Sequence, residues 1–145
     1  METAIVKEAK TVFDKEIEAL IKTRDSIGKD YEKIVDLILN CQGKVVITGI
    51  GKPGHIATKI AATFASLGTP SFYVHPSEAL HGDLGMVESK DIVILCSYSG
   101  ESDEIVGMLP VLKEIGCITV AISGNERSTL VKECQYHFVF PAFEE

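Results

Sequence analysis

Five short apolar runs recur along the chain from residue 45 onward, and within each run the apolar residues are nearly consecutive instead of alternating with polar ones. The runs occupy residues 45–48, 71–74, 92–96, 117–122 and 136–140. A strand that is apolar on both faces must be covered on both faces, which is typical of a parallel sheet packed between helices. The sequence therefore predicts an α/β fold, with a doubly wound parallel sheet of about five strands flanked by helices.

Segments with apolar residues at helical spacing fill much of the remaining chain. They occupy residues 5–21, 31–39, 56–67, 103–115 and 128–133. A chain of 145 residues, 46% of them hydrophobic, can bury one substantial core but is too short for two. We therefore expect a single domain over residues 1–145, with amino-terminal helices in residues 4–41 and a parallel sheet core in residues 44–140.

Charge and cysteine content restrict the partners and the compartment. The formal net charge is -7, so the protein repels polyanions and no nucleic acid partner is expected. No apolar run approaches the roughly 20 residues that cross a bilayer, so no membrane partner is expected either. The four cysteines show no CxxC spacing, which favours reduced thiols and a cytoplasmic location.

The helix predicted over residues 5–21 has a longer apolar face than one small sheet edge requires. So large an apolar patch is unusual on the surface of a monomer. We therefore expect this helix to pack against another copy of the chain, in a homo-oligomer that is a dimer or a tetramer.

Ligands of doubly wound sheets bind beyond the carboxyl ends of the strands. One segment at that edge, residues 97–102 (the serine loop), carries Ser97, Ser99 and Ser102 around Gly100. Hydroxyl and amide donors of this kind can bind a phosphate monoester without bulk positive charge. Ser102 is also a natural cap for the helix that follows, so a serine-rich capping turn is the alternative.

Two other segments at the same edge are less specific. The glycine loop, residues 49–54 with the sequence GIGKPG, is neither GxGxxG nor the GxxxxGK[ST] phosphate loop, and it is either an anion-binding helix start or a tight turn. His75 and His81 follow the next strand and are six residues apart, which is not the spacing of a preformed zinc site. Each histidine either serves the chemistry or anchors its loop.

The stretch GIGKPGHIATKIAATFASLGTPSFYVHPSEALHGDLGMV, followed by SYSGESDEI, resembles the sugar isomerase (SIS) domain of arabinose 5-phosphate isomerases. The resemblance covers roughly the last two-thirds of the chain. It implies a flavodoxin-like architecture and the interconversion of D-ribulose 5-phosphate and D-arabinose 5-phosphate on the route to Kdo and lipopolysaccharide. It also implies a sugar phosphate as the small-molecule partner and no required cofactor.

The resemblance assigns roles position by position. Lys52 matches a lysine that contacts substrate charge or the enediolate, and Glu104 and Glu145 match catalytic carboxylates. Four other positions match residues that line the sugar phosphate site, namely Gly68, Thr69, His75 and His81. His75 also matches a position that takes an inhibitory or adventitious zinc ion.

The chain departs from the family at several positions. Pro53 stands where the family usually has serine, and Tyr98 where it has asparagine. The family continues beyond Glu145 into a further helix and a histidine that assists catalysis, and its members often carry paired regulatory modules. We therefore expect either a truncated form or a site completed by a second subunit.

Three functions follow from these residues. The first is the isomerase, in which Glu104 or Glu145 is the base, Lys52 and His81 stabilise the oxyanion, and the serine loop anchors the phosphate. The second is a sugar phosphate sensor without catalysis. The third is an isomerase of another ketose phosphate, such as a hexulose 6-phosphate.

Overall fold

The computed structural model describes residues 2–143, and it forms one parallel sheet between two layers of helices. The strands are β1 (Val45–Gly49), β2 (Ser71–Val74), β3 (Ile92–Cys96), β4 (Ile118–Ser123) and β5 (Tyr136–Val139). The helices are α1 (Ala4–Ser26), α2 (Lys29–Leu39), α3 (Lys52–Ser66), α4 (Pro76–Leu80), α5 (Asp103–Gly107), α6 (Leu109–Ile115) and α7 (Thr129–Glu133). A 3-10 turn, Asp83–Met86, precedes β3.

The sheet has the strand order β2-β1-β3-β4-β5, and every neighbouring pair is parallel. This is the flavodoxin-like order of a doubly wound sheet, so the predicted fold is confirmed. The three central strands are buried along most of their length, which explains why their sequences are apolar without alternation. Between β1 and β3 the chain changes direction across the sheet, because β2 lies on one side of β1 and β3 on the other.

Each face of the sheet has its own apolar core. On one face α4, α5, α6 and α7 cover side chains such as Val46, Val93 and Leu95. On the other face α2 and α3 cover Ile47 and Ile94 together with their neighbours. The strands thus hold two helical layers at fixed positions, and the loops beyond the carboxyl ends of β1 and β3 start from a buried base.

Several helix boundaries differ from the sequence prediction. The helix expected over residues 103–115 is divided at Met108, because Pro110 has no N–H to donate to the preceding turn. The segment after β2, expected to be a loop, contains α4, which Pro76 begins at a favourable position. Helix α3 starts at Lys52, four residues earlier than its apolar pattern indicated.

Helix α1 stands apart from the rest of the fold. It has 23 residues and none of them is buried. Its apolar residues are largely exposed, as Ile5 at 82%, Phe13 at 66% and Leu20 at 69% illustrate.

None of the helices within residues 2–143 is both long enough and apolar enough to cross a bilayer.

Candidate functional site

The glycine loop and the serine loop leave the sheet side by side. Gly49 at the end of β1 pairs in register with Cys96 at the end of β3. The two loops therefore lie side by side at the point where the strand order reverses, which is here called the crevice. This is the position where doubly wound sheets bind their ligands. The structure therefore brings together the two segments that the sequence had indicated separately.

The glycine loop is held tightly against the sheet. The Tyr73 hydroxyl donates a hydrogen bond of 2.8 Å to the Gly49 carbonyl. A Cβ atom at Gly54 would lie only 2.7 Å from that same carbonyl oxygen, so α3 approaches β1 as closely as it does because residue 54 is glycine. Gly51 has φ +65° and turns the chain into α3. These contacts determine where the first turn of α3 begins.

Lys52 and Glu104 occupy equivalent places on neighbouring loops. Lys52 is the first residue of α3, after β1, and Glu104 is the second residue of α5, after the serine loop. Both side chains are exposed at the carboxyl edge of the sheet. A cation and a carboxylate thus stand at the amino ends of two helices that follow adjacent strands.

The serine loop is organised around a buried hydroxyl. Ser97 is only 4% exposed, and its Oγ accepts a hydrogen bond of 3.0 Å from the Gly100 N–H. The Ser102 Oγ lies 3.1 Å from the Ser97 Oγ. Ser102 stands at the cap position of α5, as the sequence indicated, but its side chain does not make the expected capping hydrogen bond. Its hydroxyl is engaged by Ser97 instead.

Ser99 is the exposed hydroxyl of the serine loop. Its Oγ accepts a hydrogen bond of 3.2 Å from the Glu101 N–H. The loop therefore presents one exposed and two interacting hydroxyls beside Gly100, whose φ of +66° turns the backbone tightly. This arrangement suits a compact anion such as a phosphate group.

The segment between β4 and α7, residues 124–128, forms hydrogen bonds with the backbone of the serine loop. The Gly124 N–H donates to the Tyr98 carbonyl at 3.0 Å, and the Asn125 Nδ2 donates to the Ser99 carbonyl at 3.1 Å. The Leu130 N–H of α7 donates to the Gly100 carbonyl at 3.1 Å. Three successive carbonyls of the serine loop thus accept hydrogen bonds from this segment and the helix that follows it. No feature of the sequence had indicated these contacts.

Tyr98, one of the departures from the family pattern, has a structural role. Its hydroxyl donates to the Phe143 carbonyl at 3.3 Å, and its ring lies 5.9 Å from that of Phe140. The chain after β5 therefore folds back onto the serine loop. Glu145, predicted as a catalytic carboxylate, lies outside the residues that the structure describes.

Both predicted histidines flank α4 and contact the same residue. The His75 Nδ1 accepts a hydrogen bond of 3.2 Å from the Ser77 N–H and so caps the helix. The His81 Nδ1 lies 2.9 Å from the Ser77 carbonyl at the other end. Both side chains remain exposed. Within residues 2–143 no three His, Cys, Asp or Glu side chains are arranged to hold a metal, and zinc at His75 stays a prediction.

Gly68 and Thr69 lie at the opposite edge of the sheet. Helix α3 runs away from the crevice for 15 residues, about 22 Å, before it reaches them. The carbonyl of the next residue, Pro70, accepts from the N–H of Val45 at the start of β1. Within one chain these two residues therefore lie away from the serine loop, and their place at the sugar phosphate site stays a prediction.

Sequence and structure comparisons agree on the relationships of this chain. The SIS domain family pattern matches residues 38–145. A probable arabinose 5-phosphate isomerase of Haemophilus influenzae is 47% identical over 131 residues, which are 90% of this chain and 39% of that protein. The arabinose 5-phosphate isomerase KdsD of Yersinia pestis is 48% identical over 88% of this chain and 39% of its own length.

A solved structure of an Escherichia coli protein in complex with arabinose 5-phosphate superimposes with a TM-score of 0.93 at 42% identity. The match covers 100% of this chain and 78% of that one. The present chain spans 39% of the length of each of the proteins from Haemophilus influenzae and Yersinia pestis.

Proposed function

This chain belongs to the SIS domain family, and from that premise we propose that it is an aldose–ketose isomerase domain. Its proposed reaction interconverts D-ribulose 5-phosphate and D-arabinose 5-phosphate through an enediol. Support comes from relatives that are named arabinose 5-phosphate isomerases and from the similar structure in complex with arabinose 5-phosphate.

The observation that carries this proposal is the pairing of the glycine loop and the serine loop at one crevice. An isomerisation of this kind moves a proton between adjacent carbons, so it requires a base, a group that stabilises the oxyanion, and a phosphate anchor. Glu104 is the proposed base, Lys52 with His81 stabilises the oxyanion, and Ser97, Ser99 and Ser102 bind the phosphate. Glu145 is the second candidate for the base.

The alternatives differ in which of these groups they need. A sugar phosphate sensor requires the serine loop but has no use for an exposed carboxylate and an exposed ammonium group at the neighbouring helix starts. An isomerase of another ketose phosphate requires the same groups in a pocket of different depth. The placement of Lys52 and Glu104 at the carboxyl edge therefore favours an enzyme.

The remaining functional assignments are also proposals. We place the product on the route to Kdo and lipopolysaccharide, and the protein in the cytoplasm, which its four free cysteines support. The isomerisation requires no cofactor, and zinc at His75 is inhibitory or adventitious.

Self-assembly is the last of these assignments, and the exposed apolar face of α1 supports it. The positions of Gly68 and Thr69 agree with an assembly as well. Because they lie at the amino edge of their own sheet, they could contact a sugar phosphate only if it were bound in the crevice of another copy.

A coupled assay that compares the turnover of ribulose 5-phosphate with that of other ketose phosphates tests the function. The native chain should turn over ribulose 5-phosphate and exchange its transferable proton with solvent deuterium. Glu104→Gln keeps the shape of the side chain and removes the base, so turnover should fall at least ~100-fold with near-native binding. Asp103→Asn, one residue earlier on the same helix turn, is the matched control and should retain turnover.

Two results would contradict the assignment. Binding without turnover or deuterium exchange, in this chain and in a longer one that extends past Glu145, would favour the sensor. Preference for a hexulose 6-phosphate would favour the other isomerase.

A further inference from the structure

Glu101 is a carboxylate within the serine loop that has no role in the isomerisation proposed for this chain. Its Oε1 accepts a hydrogen bond of 2.7 Å from the N–H of Thr129. Thr129 is the first residue of α7, and N–H groups in the first turn of a helix have no partner within the helix. The carboxylate of one loop therefore caps a helix that follows a different strand, 28 residues further along the chain.

The ionisation of Glu101 agrees with this contact. The hydrogen bond from the Thr129 backbone is the main reason that the pKa of Glu101 lies below its ordinary value. A second hydrogen bond from the Thr129 side chain acts in the same direction. The carboxylate is therefore charged at neutral pH, and its charge is engaged by α7.

A negative charge in a loop that binds a phosphate is unfavourable by itself. Two like charges within several ångströms of each other repel, even where water screens them. If Glu101 contributed only its charge, its removal would strengthen the binding of an anion. A carboxylate in this position must therefore be explained by something other than direct contact with the ligand.

The contacts beside Glu101 indicate that its carboxylate holds the serine loop in place. The Leu130 N–H donates to the Gly100 carbonyl at 3.1 Å, so α7 also binds the residue before Glu101. The space at this junction is filled, because a Cβ at Gly100 would lie 2.2 Å from the Oγ of the buried Ser128. Two successive residues of the serine loop thus attach it to the first turn of α7.

We propose that Glu101 is a positioning residue of the phosphate site, whose carboxylate latches the serine loop to the amino end of α7. The latch keeps the loop that carries the proposed phosphate-binding hydroxyls of Ser97, Ser99 and Ser102 in its observed conformation. This inference rests on the proposed function, because it takes the serine loop as the phosphate anchor. It adds a residue that acts on the ligand through the loop.

The latch and a purely electrostatic effect of the Glu101 charge predict opposite changes in phosphate affinity when the carboxylate is removed. For Glu101→Ala, loss of the latch should weaken the binding of inorganic phosphate by roughly tenfold, which is the scale of one hydrogen bond to a charged group. Loss of the charge alone would strengthen it. For ribulose 5-phosphate, KM should rise by a similar factor with kcat little changed. Glu101→Gln retains an acceptor oxygen for the Thr129 N–H and should stay near the native affinity.

A second substitution isolates the contact. Thr129→Pro removes the N–H donor at the first helical position, where proline is well tolerated, and Ser128 before it already has the extended backbone that proline requires. Glu101→Ala should have little further effect on phosphate affinity in the Thr129→Pro background. Glu126→Ala removes an exposed carboxylate between β4 and α7. It is the matched control for charge and should not weaken binding.

Hydrogen exchange tests the latch without any sugar phosphate. In Glu101→Ala the Gly100 amide should exchange at least about tenfold faster, while the Ile94 amide in β3 keeps its native rate, which separates loop release from global unfolding. Unchanged Gly100 exchange, tighter phosphate binding by Glu101→Ala, or additive effects of the two substitutions would overturn the inference. Failure of both this chain and a longer one that extends past Glu145 to isomerise any ketose phosphate would instead refute the proposed function. The exchange measurement would still test the latch in that case.

Discussion

Among single residues, Asp91 shows how one buried carboxylate ties together separate segments at the amino edge of the sheet. It is fully buried, and its two oxygens accept hydrogen bonds from the N–H of Lys44 at 2.7 Å and the N–H of Glu88 at 2.8 Å. The Lys44 ammonium lies 3.1 Å away. Burial alone would raise the pKa of Asp91, but these donors together hold it below its ordinary value.

This shift predicts a pH-dependent contribution to stability. The folded-state pKa lies below that of the unfolded chain, so the stabilisation is complete above pH ~4 and is lost as the pH falls through the folded-state pKa. Asp91→Asn should lower the free energy of unfolding by about 2 to 4 kcal/mol at pH 7. Urea unfolding at pH 7 and pH 3 should show the gap between native and variant protein narrowing in acid.

The control for this measurement is Asp14→Asn, at an exposed position on α1. It should leave the free energy of unfolding nearly unchanged at both pH values. An Asp91→Asn gap of the same size at pH 3 as at pH 7 would show that the stabilisation does not come from the ionised carboxylate.

Among the secondary-structure elements, the junction of β1 and α3 depends on Gly54. A methyl group there would press on the Gly49 carbonyl at 2.7 Å, and the Tyr73 hydroxyl is also only 3.0 Å from the same point. Backbone and a hydrogen-bonded ring cannot give way cheaply, so α3 would have to move. Lys52, two residues earlier in the same turn, would move with it.

We therefore expect Gly54→Ala to destabilise the protein by about 1 to 3 kcal/mol, as overpacking does elsewhere, and to reduce turnover of ribulose 5-phosphate. Gly107→Ala is the matched control, since a Cβ there meets only the Leu80 Cδ1 at an ordinary 3.7 Å. Because residue 107 is helical, that change should leave stability equal or slightly higher. Denaturant midpoints and steady-state kinetics of both variants test this, and native stability of Gly54→Ala would contradict the tight junction.

Across the molecule as a whole, two apolar surfaces lack a partner within the residues that the structure describes. One is the apolar face of α1, in which no residue is buried. The other is a groove of about 370 Å³ between α2 and α3, lined by residues that include Val35, Leu39 and Leu67. A single chain would leave both surfaces in water, which is unfavourable in proportion to their apolar area.

We expect the chain to form a dimer or tetramer at micromolar concentration, with α1 packed against another copy. Phe13→Asp places a charge in the centre of the apolar face and should shift the mass measured by light scattering towards that of one chain. Lys15→Asp changes the charge on the opposite side of the same helix and should leave the assembly intact. A native mass equal to one chain would contradict the prediction.

The amino-acid sequence was enough to establish the kind of fold and the edge of the sheet that carries the site. Unbroken apolar strands can only be buried on both faces, and this property can be read from residues close together in the chain. The glycine loop and the serine loop were visible for the same reason. Their glycines and hydroxyls are local features, so the serines could be named before their surroundings were known, whereas Lys52 and Glu104 were assigned their roles by the resemblance to a known family.

Which of these residues meet follows from the tertiary structure alone. The apolar pattern does not specify that β3 lies beside β1, and local capping preference does not predict that the Ser102 hydroxyl faces Ser97. Gly68 and Thr69 lie at the far edge because α3 runs its full length between them and the crevice. The contact of Glu101 with Thr129 joins residues on two different strand–helix units. Such pairings depend on how the strands are ordered and packed, and no short stretch of sequence carries that information.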